Sequence, residues 1–413
     1  MSPLNILIVG LNYTPEHAGI APYTTGTARG LAAEGHRVRV VTGFPYYPQW
    51  TTAPGYRGWR AGLARHERDG DVDLLRLRHF VPSDSTGVGR MVHEASFAAH
   101  TLAHTLRRRP DVVLGVSPSL LSVGAARLAA RRFSVPFGVI VQDIYAESAA
   151  EVGSLGGRGG AAVLRLERGL LLAADGVVVV HEQFRDTLVG RHGVDPERVE
   201  VIRNWTHIRP PGGDRERVRA ELGWPADQVV ALHAGNMGAK QELGNVVAAA
   251  RLAGGRDRVH FVLLGDGSRR ASVVADARDV TAVSVLDPVA EARFPDVLAA
   301  ADVLLVNERP GLHTMSVPSK LTSYFLVGRP VVAASEPDSP ASRELARSGA
   351  GVRVPPGEPG ALLDAVRAIG TDPRRRAELG DRGTRYAREK LTERGAIERY
   401  ARWVTRLAAG DTP

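Results

Sequence analysis

Short runs of aliphatic and β-branched residues recur along the first half of the chain. They fall at Leu4–Val9, Arg37–Val41, Val72–Leu77, Val112–Val116, Phe137–Val141, Val177–Val180 and Val199–Ile202. Most are apolar along their length rather than alternating, which suits strands covered on both faces of a parallel sheet. Stretches of helical length lie between them, such as Tyr23–Glu34, closed by Gly35, and Leu120–Arg132. The Pro- and Gly-rich stretch Arg209-Pro210-Pro211-Gly212-Gly213-Asp214 reads as a linker. Beyond it the alternation restarts with Val229–His233, His260–Leu264, Val283–Leu286, Val303–Val306 and Val331–Ala333, separated by helical candidates Leu243–Leu252, Pro295–Ala301 and Pro359–Ile369. Asp372 to Ala409 reads as one Arg-rich helical stretch. The pattern predicts an α/β chain of two Rossmann-like, doubly wound domains. Ligands of such sheets sit at the carboxyl ends of the strands, so the loops leaving those ends are where chemistry is expected.

Composition narrows the picture. The 413 residues are 44% apolar and 24% charged, ordinary for a globular chain. There is no cysteine, which excludes disulfides, zinc–thiolate sites, iron–sulfur clusters and a catalytic thiol, and fits a reducing cytoplasm. The opening residues carry no basic leader and too short an apolar run for a signal peptide, and no apolar run is long enough to span a bilayer. The expectation is a cytoplasmic protein, with peripheral contact at the inner face of a membrane left open. The net charge is +8, yet only three of the 53 basic residues are lysines: Lys240, Lys320 and Lys390. An Arg bias of this kind reflects base composition as readily as function, so where lysine persists is the more informative observation.

The loop Gly10–Ile20 follows the first strand and runs into a helix near Ala21. It could offer helix N-terminal N–H groups to an anion, or be an ordinary strand–helix turn; it lacks Gly-x-Gly-x-x-Gly. Tyr13 and Glu16 in this loop are not explained by core packing. The loop Ala234–Gln241 places Gly235, Asn236, Gly238 and Lys240 between a strand and a helix, the parts that hold a diphosphate, without the Walker spacing. A helix is expected from Pro318 to before Gly328, with Lys320 in its first turn, where the dipole disfavours a cation unless an anion is near. Gly265-Asp266-Gly267 adds a further Gly turn. Gln142, Asp143 and Glu147 follow the strand Phe137–Val141. The carboxylates could hold a sugar or move a proton, or Asp143 could cap a turn. Tyr46 and Tyr47, with Trp50, form an aromatic loop that suits either a sugar platform or local packing. No Gly-x-Ser-x-Gly elbow and no metal-ligand pattern occur, and His100 and His104 read as a solvated or core face.

The opening "ILIVGLNYTPEHAGIAPYTTGTARGLAAEGHRVRVVTGFPYYPQW", followed in order by "VQDIYAE", "VIRNW", "HAGNMGAKQEL", "LLGDGSRR", "LAAADVLLV" and "VPSKLTSYFLVGRPVVAAS", resembles GT4 glycosyltransferases of the GT-B fold, nearest the WcaI-like colanic acid biosynthesis branch. The resemblance spans nearly the whole chain. It implies two Rossmann-like domains facing across a cleft, residues 1–205 with 391–413 for the acceptor and 206–390 for the nucleotide sugar. A C-terminal helix, roughly Arg394–Leu407, would cross back to the first domain. It implies a retaining transferase that moves a sugar from a nucleoside-diphosphate sugar to an acceptor hydroxyl, with no other cofactor, no metal and no nucleic-acid partner.

Catalytic roles are expected at Lys240, Asp143 and Gln142. Donor contacts fall on Gly19, Ile20, Gly235, Asn236, Gly238, Lys240, Asp266, Gly267, Ser316, Val317, Pro318, Ser319 and Lys320. Acceptor contacts are expected at Asn12, Tyr13, Glu16, Tyr46, Tyr47, Asp143 and Glu147. Two departures stand out: Met315 and Ser323 occupy the positions of the paired Glu-x7-Glu of many relatives, and Gln142 stands where many carry a histidine. Glu336 and Glu344 share that spacing but lie beyond the strand. Alternatives are a nucleotide-sugar 2-epimerase of the same architecture and a basic binding module using Arg107–Arg109 or Arg374–Arg376. Such charge runs are more often solvated faces.

Overall fold

The computed structural model describes residues 3–17, 19–58, 62–82, 87–105, 108–145, 157–254, 258–312 and 320–410. The chain divides into two compact units, Met1–Asn204 with Glu393–Pro413, and Trp205–Thr392.

The first unit is built on eight strands: β1 (Asn5–Val9), β2 (Arg37–Gly43), β3 (Ala64–Asp69), β4 (Val72–Leu77), β5 (Val112–Ser117), β6 (Phe137–Val141), β7 (Gly176–Val179) and β8 (Val199–Val201), in the order β3-β4-β2-β1-β5-β6-β7-β8. The chain moves outward from β1 in one direction and then in the other, so the switch point lies between β1 and β5. Every neighbouring pair is parallel except β3–β4. That edge hairpin corrects the all-parallel expectation. Its sequence, ARHERD, is wet on most positions and leaves no apolar run to read. The signal that could have found it is the two-residue connection Gly70-Asp71, with Gly70 at φ +57°.

The helical stretch from Asp372 to Ala409 is two helices, Pro373–Lys390 and Glu393–Ala409. The second belongs to the first unit, as the resemblance implied. Two glycines make room for it. A Cβ on Gly30 would sit 2.6 Å from Ile397, and one on Gly138 would sit 2.7 Å from the Trp403 ring. Arg399 and Arg406 then grip Glu200 on β8 at 3.1 and 2.6 Å.

The second unit carries β9 (Val229–Ala234), β10 (Val259–Leu264), β11 (Val283–Leu286), β12 (Val303–Asn307), β13 (Val331–Ala334) and β14 (Gly351–Val354), all parallel, in the order β11-β10-β9-β12-β13-β14. Its switch point lies between β9 and β12. Asp302, buried just before β12, sets that junction. It accepts from the Val230 N–H at 2.9 Å, from Arg219 at 2.9 Å and from Arg215 at 2.6 Å, with Arg376 at 3.5 Å. Arg376 therefore belongs to a buried network rather than to a solvated basic run.

Asp302→Ala would strand the buried Arg219 guanidinium and the Val230 N–H, and is expected to lower stability by about 3–5 kcal/mol. Urea unfolding measures this. The double variant Asp302→Leu/Arg219→Met, which removes both charges, should recover much of the loss.

Candidate functional site

Beside the switch point of the second unit, at the carboxyl ends of β9 and β10, two strand-end loops meet backbone to backbone. Gly235, after β9, donates to Leu264 O at 2.9 Å, and Met237 donates to Asp266 O at 2.8 Å. A Cβ on Gly265 would fall 1.9 Å from Gly235 O, and one on Gly267 would fall 2.5 Å from Asn236 Oδ1. All three glycines have positive φ, +125°, +146° and +153°. At Gly265 and Gly267 no other residue type supplies both that conformation and that closeness, while at Gly235 the backbone conformation alone favours glycine. Thus Gly235, Asn236, Asp266 and Gly267 are brought together. The amides of Gly235, Met237 and Gly238 are already committed, the last to Gln241 Oε1 at 3.0 Å.

The charge at this place comes from lysine. Lys320 opens the helix Lys320–Leu326 and reaches back over the loop. Its Nζ lies 3.3 Å from His233 Nε2 and 3.7 Å from where a Gly235 Cβ would be. Burial pushes its ammonium down to about 8, with the Glu308 carboxylate opposing. His233 is fully buried on β9. Burial and then the Lys320 charge hold its imidazole well below the usual range, so it is neutral beside the ammonium. One helical turn on, Tyr324 reaches the same gap. β9 and β12 are in register only at Val303–Ala231 and Leu304–Leu232. Beyond that the Tyr324 hydroxyl accepts from Ala234 N at 3.0 Å. Lys240 sits in the turn Ala239–Gln241, and its carbonyl accepts from Arg309 N at 2.9 Å.

Three residues that the sequence reading missed hold the loop. Asn307, the buried last residue of β12, donates to Gln241 O at 2.8 Å and Glu242 O at 3.0 Å, and accepts from Asn245 at 2.8 Å. The only signal was a polar residue closing an apolar strand. Tyr324 is the third. Ser323 is buried in its helix, while Met315 and the donor candidates Ser316, Val317, Pro318 and Ser319 lie outside the described residues. Glu336 accepts from Gly311 N at 2.8 Å and the buried Glu344 from the Tyr386 hydroxyl at 2.7 Å, both within the fold of this unit.

In the first unit the loop after β1 is clasped to the loop after β2 by one carboxylate. Glu16 is 6% exposed and accepts from Tyr46 N at 2.9 Å, Tyr47 N at 2.8 Å and Asn12 Nδ2 at 3.0 Å. Burial raises its pKa while these hydrogen bonds oppose the shift. Gly19, at φ +64°, lies against the Tyr47 ring, 3.1 Å from where a Cβ would be. Asn12, Glu16, Gly19, Tyr46 and Tyr47 are therefore neighbours. The Tyr46 ring itself is core, packed edge-on against Trp50, His79 and His93. Tyr13 does not join the cluster as a contact residue. Its ring is buried and its hydroxyl donates to Asp69 at 2.8 Å, beside the Arg29–Asp69 pair. Ile20, half-buried, leads into the helix Ala21–Ala33.

At the end of β6, Gln142 is buried and its Oε1 accepts from Asn204 Nδ2 at 2.8 Å, while the Asp143 carbonyl accepts from Ser117 Oγ at 2.8 Å. Glu147 lies outside the described residues. His100 and His104 bond through Nδ1 to the carbonyls of Arg78 and His100 at 2.6 and 2.9 Å, a packing role.

Comparison with known proteins agrees with this layout. Residues 18–205 match the Glycosyl transferase 4-like domain family, and residues 228–372 match the Glycosyl transferases group 1 family. The chain is 31% identical over 348 residues to WcaI of Escherichia coli (strain K12), whose name assigns it to colanic acid biosynthesis as a glycosyl transferase. The match covers 81% of this chain and 84% of that protein. Sucrose-phosphate synthase from Thermosynechococcus elongatus shares the fold with a TM-score of 0.74 at 17% identity, over 98% of this chain and 99% of that one. Anabaena HepE, solved in complex with UDP-glucose, gives 0.70 at 15% identity, over 97% and 99%. No helix among the described residues is long and apolar enough to cross a membrane. With both domains matched in order and WcaI matched along most of its length, this chain belongs to the GT4-type glycosyltransferases of the GT-B fold.

Proposed function

We propose that the chain is a retaining glycosyltransferase that moves a sugar from a nucleoside-diphosphate sugar to a hydroxyl of a glycan, a lipid-linked saccharide or a small metabolite, and that it requires no metal. The observation that carries this reading is the convergence of the Lys320 ammonium on the Gly235 turn at the switch point of the second unit. HepE holds UDP-glucose on the same fold, and the name of WcaI points to polysaccharide assembly. Those facts support a nucleotide-sugar donor and a saccharide acceptor here. A cytoplasmic place of action, at a membrane surface where the acceptor is lipid-linked, belongs to the same proposal.

In this reading residues 206–390 bind the donor and the first unit binds the acceptor. Breaking the sugar–phosphate bond leaves an oxocarbenium-like sugar and a diphosphate that gains negative charge. With the Gly235, Met237 and Gly238 amides spent inside the protein, Lys240 and Lys320 carry most of the stabilisation of that charge. The departing phosphate oxygen takes the proton of the acceptor hydroxyl as that oxygen bonds to the anomeric carbon on the same face. No protein nucleophile is needed. Gln142 and Asp143 orient the reacting sugar, and Asn12 and Tyr47, on the loops clasped by Glu16, border the acceptor.

Calorimetric titration with UDP, GDP, dTDP, ADP and CMP should show saturable binding of one nucleoside diphosphate. Lys240→Ala should weaken it and lower turnover at least tenfold, about 1.4 kcal/mol of barrier. No nucleotide binding at all, with the chain folded, would sink the proposal; sugar-nucleotide turnover without any acceptor would favour the epimerase. The pH dependence has a defined sign. The Lys320 ammonium is charged below about pH 8 in the free protein, and a bound diphosphate raises its pKa, so a proton is taken up on binding above that pH. Affinity should therefore be full below about pH 8 and fall as pH rises beyond it, and Lys320→Ala should flatten the profile. Gly265→Ala should disturb the Gly235 turn and abolish nucleotide binding, whereas Gly254→Ala, also at positive φ but facing open space, should retain it.

A further inference from the structure

The first unit carries a second polar concavity, away from the strand ends that the transferase reading uses. A groove of about 520 Å³ lies between the helix Gly87–Thr105 and the β2–β4–β3 side of the sheet. Leu74 and Leu75 line it, and Arg39, Arg68, Arg108, His66 and His104 face it. Arg39 pairs in register with Asp73, in the half of β2 and β4 that lies away from their carboxyl ends at Gly43 and Leu77.

Its charges do not balance locally. Glu67 is taken by Arg76 at 2.7 Å and by the Tyr56 hydroxyl at 2.8 Å. Asp73 lies 3.4 Å from Arg68. Arg39 and Arg108 make no ion pair among the described residues, and Arg39 Nη2 donates only to the Arg108 carbonyl, at 3.4 Å. Burial and then the Arg108 charge push the Arg39 guanidinium down, with Asp73 opposing. Two guanidinium groups lining one groove with an apolar floor repel each other, and a multiply charged anion relieves that repulsion. Planar guanidinium forks match phosphate oxygens in pairs. The nearby helix C-terminus works against an anion, but its partial charge is about half a unit, less than that of either arginine.

We propose that this groove binds a phosphate or diphosphate group, at a site separate from the sugar-transfer site. The group could be supplied by a free phosphorylated solute or by the headgroup of an anionic lipid, and the chemistry of recognition is the same for both. The proposal does not depend on the donor assignment.

The test uses the full chain and inorganic pyrophosphate. Pyrophosphate should bind the Lys240→Ala/Lys320→Ala variant saturably, because those residues lie in the other unit. Adding Arg39→Gln and Arg108→Gln should weaken that binding at least tenfold. Because Arg39 is half-buried on a strand, Arg68→Gln/Arg108→Gln serves as a second variant of more exposed side chains, with an unchanged thermal midpoint as the control. Absence of saturable binding to the lysine variant, or binding that both arginine variants leave intact, would overturn the site. Co-sedimentation with phosphatidylglycerol vesicles but not phosphatidylcholine vesicles, competed by pyrophosphate and lost in the arginine variants, would support the site with a lipid headgroup as its ligand. Pyrophosphate binding without vesicle retention would support it with a free solute.

Discussion

The candidate donor site depends on one steric constraint: two strand-end loops approach so closely that Gly265 and Gly267 have no room for a Cβ atom. The amides of Gly235, Met237 and Gly238 are spent on the protein's own hydrogen bonds. Under the transferase reading, side chains then supply charge that these amides do not. Only three of 53 basic residues are lysines, yet two of them, Lys240 and Lys320, fall at this place. An ammonium is a compact point charge that can be set down beside backbone, whereas a guanidinium fork needs width. The same packing explains the neutral His233. A neutral buried imidazole can turn its bare nitrogen to the ammonium, and with Nε2 accepting it helps to hold Lys320 where it points.

The sequence was most legible where burial is two-sided. The central strands of both sheets are covered on both faces, so they appear as apolar runs whose centres and order can be read directly. β3 was invisible for the opposite reason, since an edge strand wet on most of its positions has no hydrophobic signature. The break between the last two helices has no local punctuation, since Leu391 and Thr392 are neither Gly nor Pro. The resemblance placed it near residue 391, and the two helices belong to different units.

The candidate site divides in the same way. Residues unusual for their setting could be singled out along the chain: a rare lysine in a first helical turn, a glutamate in a strand-end loop, glycines beside a strand. Their roles could not. Glu16 turned out to act on backbone amides of its neighbours, and Tyr13 to serve the Arg29–Asp69 pair. Asn307 and Tyr324 were passed over because each works by meeting backbone groups distant in sequence. Such roles belong to tertiary structure and leave no local pattern.

The two units therefore hold their loops by different physical means, and this bears on how each can change. In the second unit the loops are locked by backbone contact through glycines, which no substitution reproduces, so whatever that site binds is bound by a rigid frame. In the first unit the loops after β1 and β2 are joined by hydrogen bonds from a single carboxylate, and the surrounding side chains can be exchanged without moving the backbone. A frame of the first kind suits a ligand part that stays constant, such as a diphosphate. A clasp of the second kind suits the partner that varies between relatives, because its specificity can be rewritten at Asn12 and Tyr47 while Glu16 keeps the loops in place. Under the transferase reading this asymmetry follows from chemistry: every donor presents the same two phosphates, whereas acceptors differ in shape and in the hydroxyl they offer.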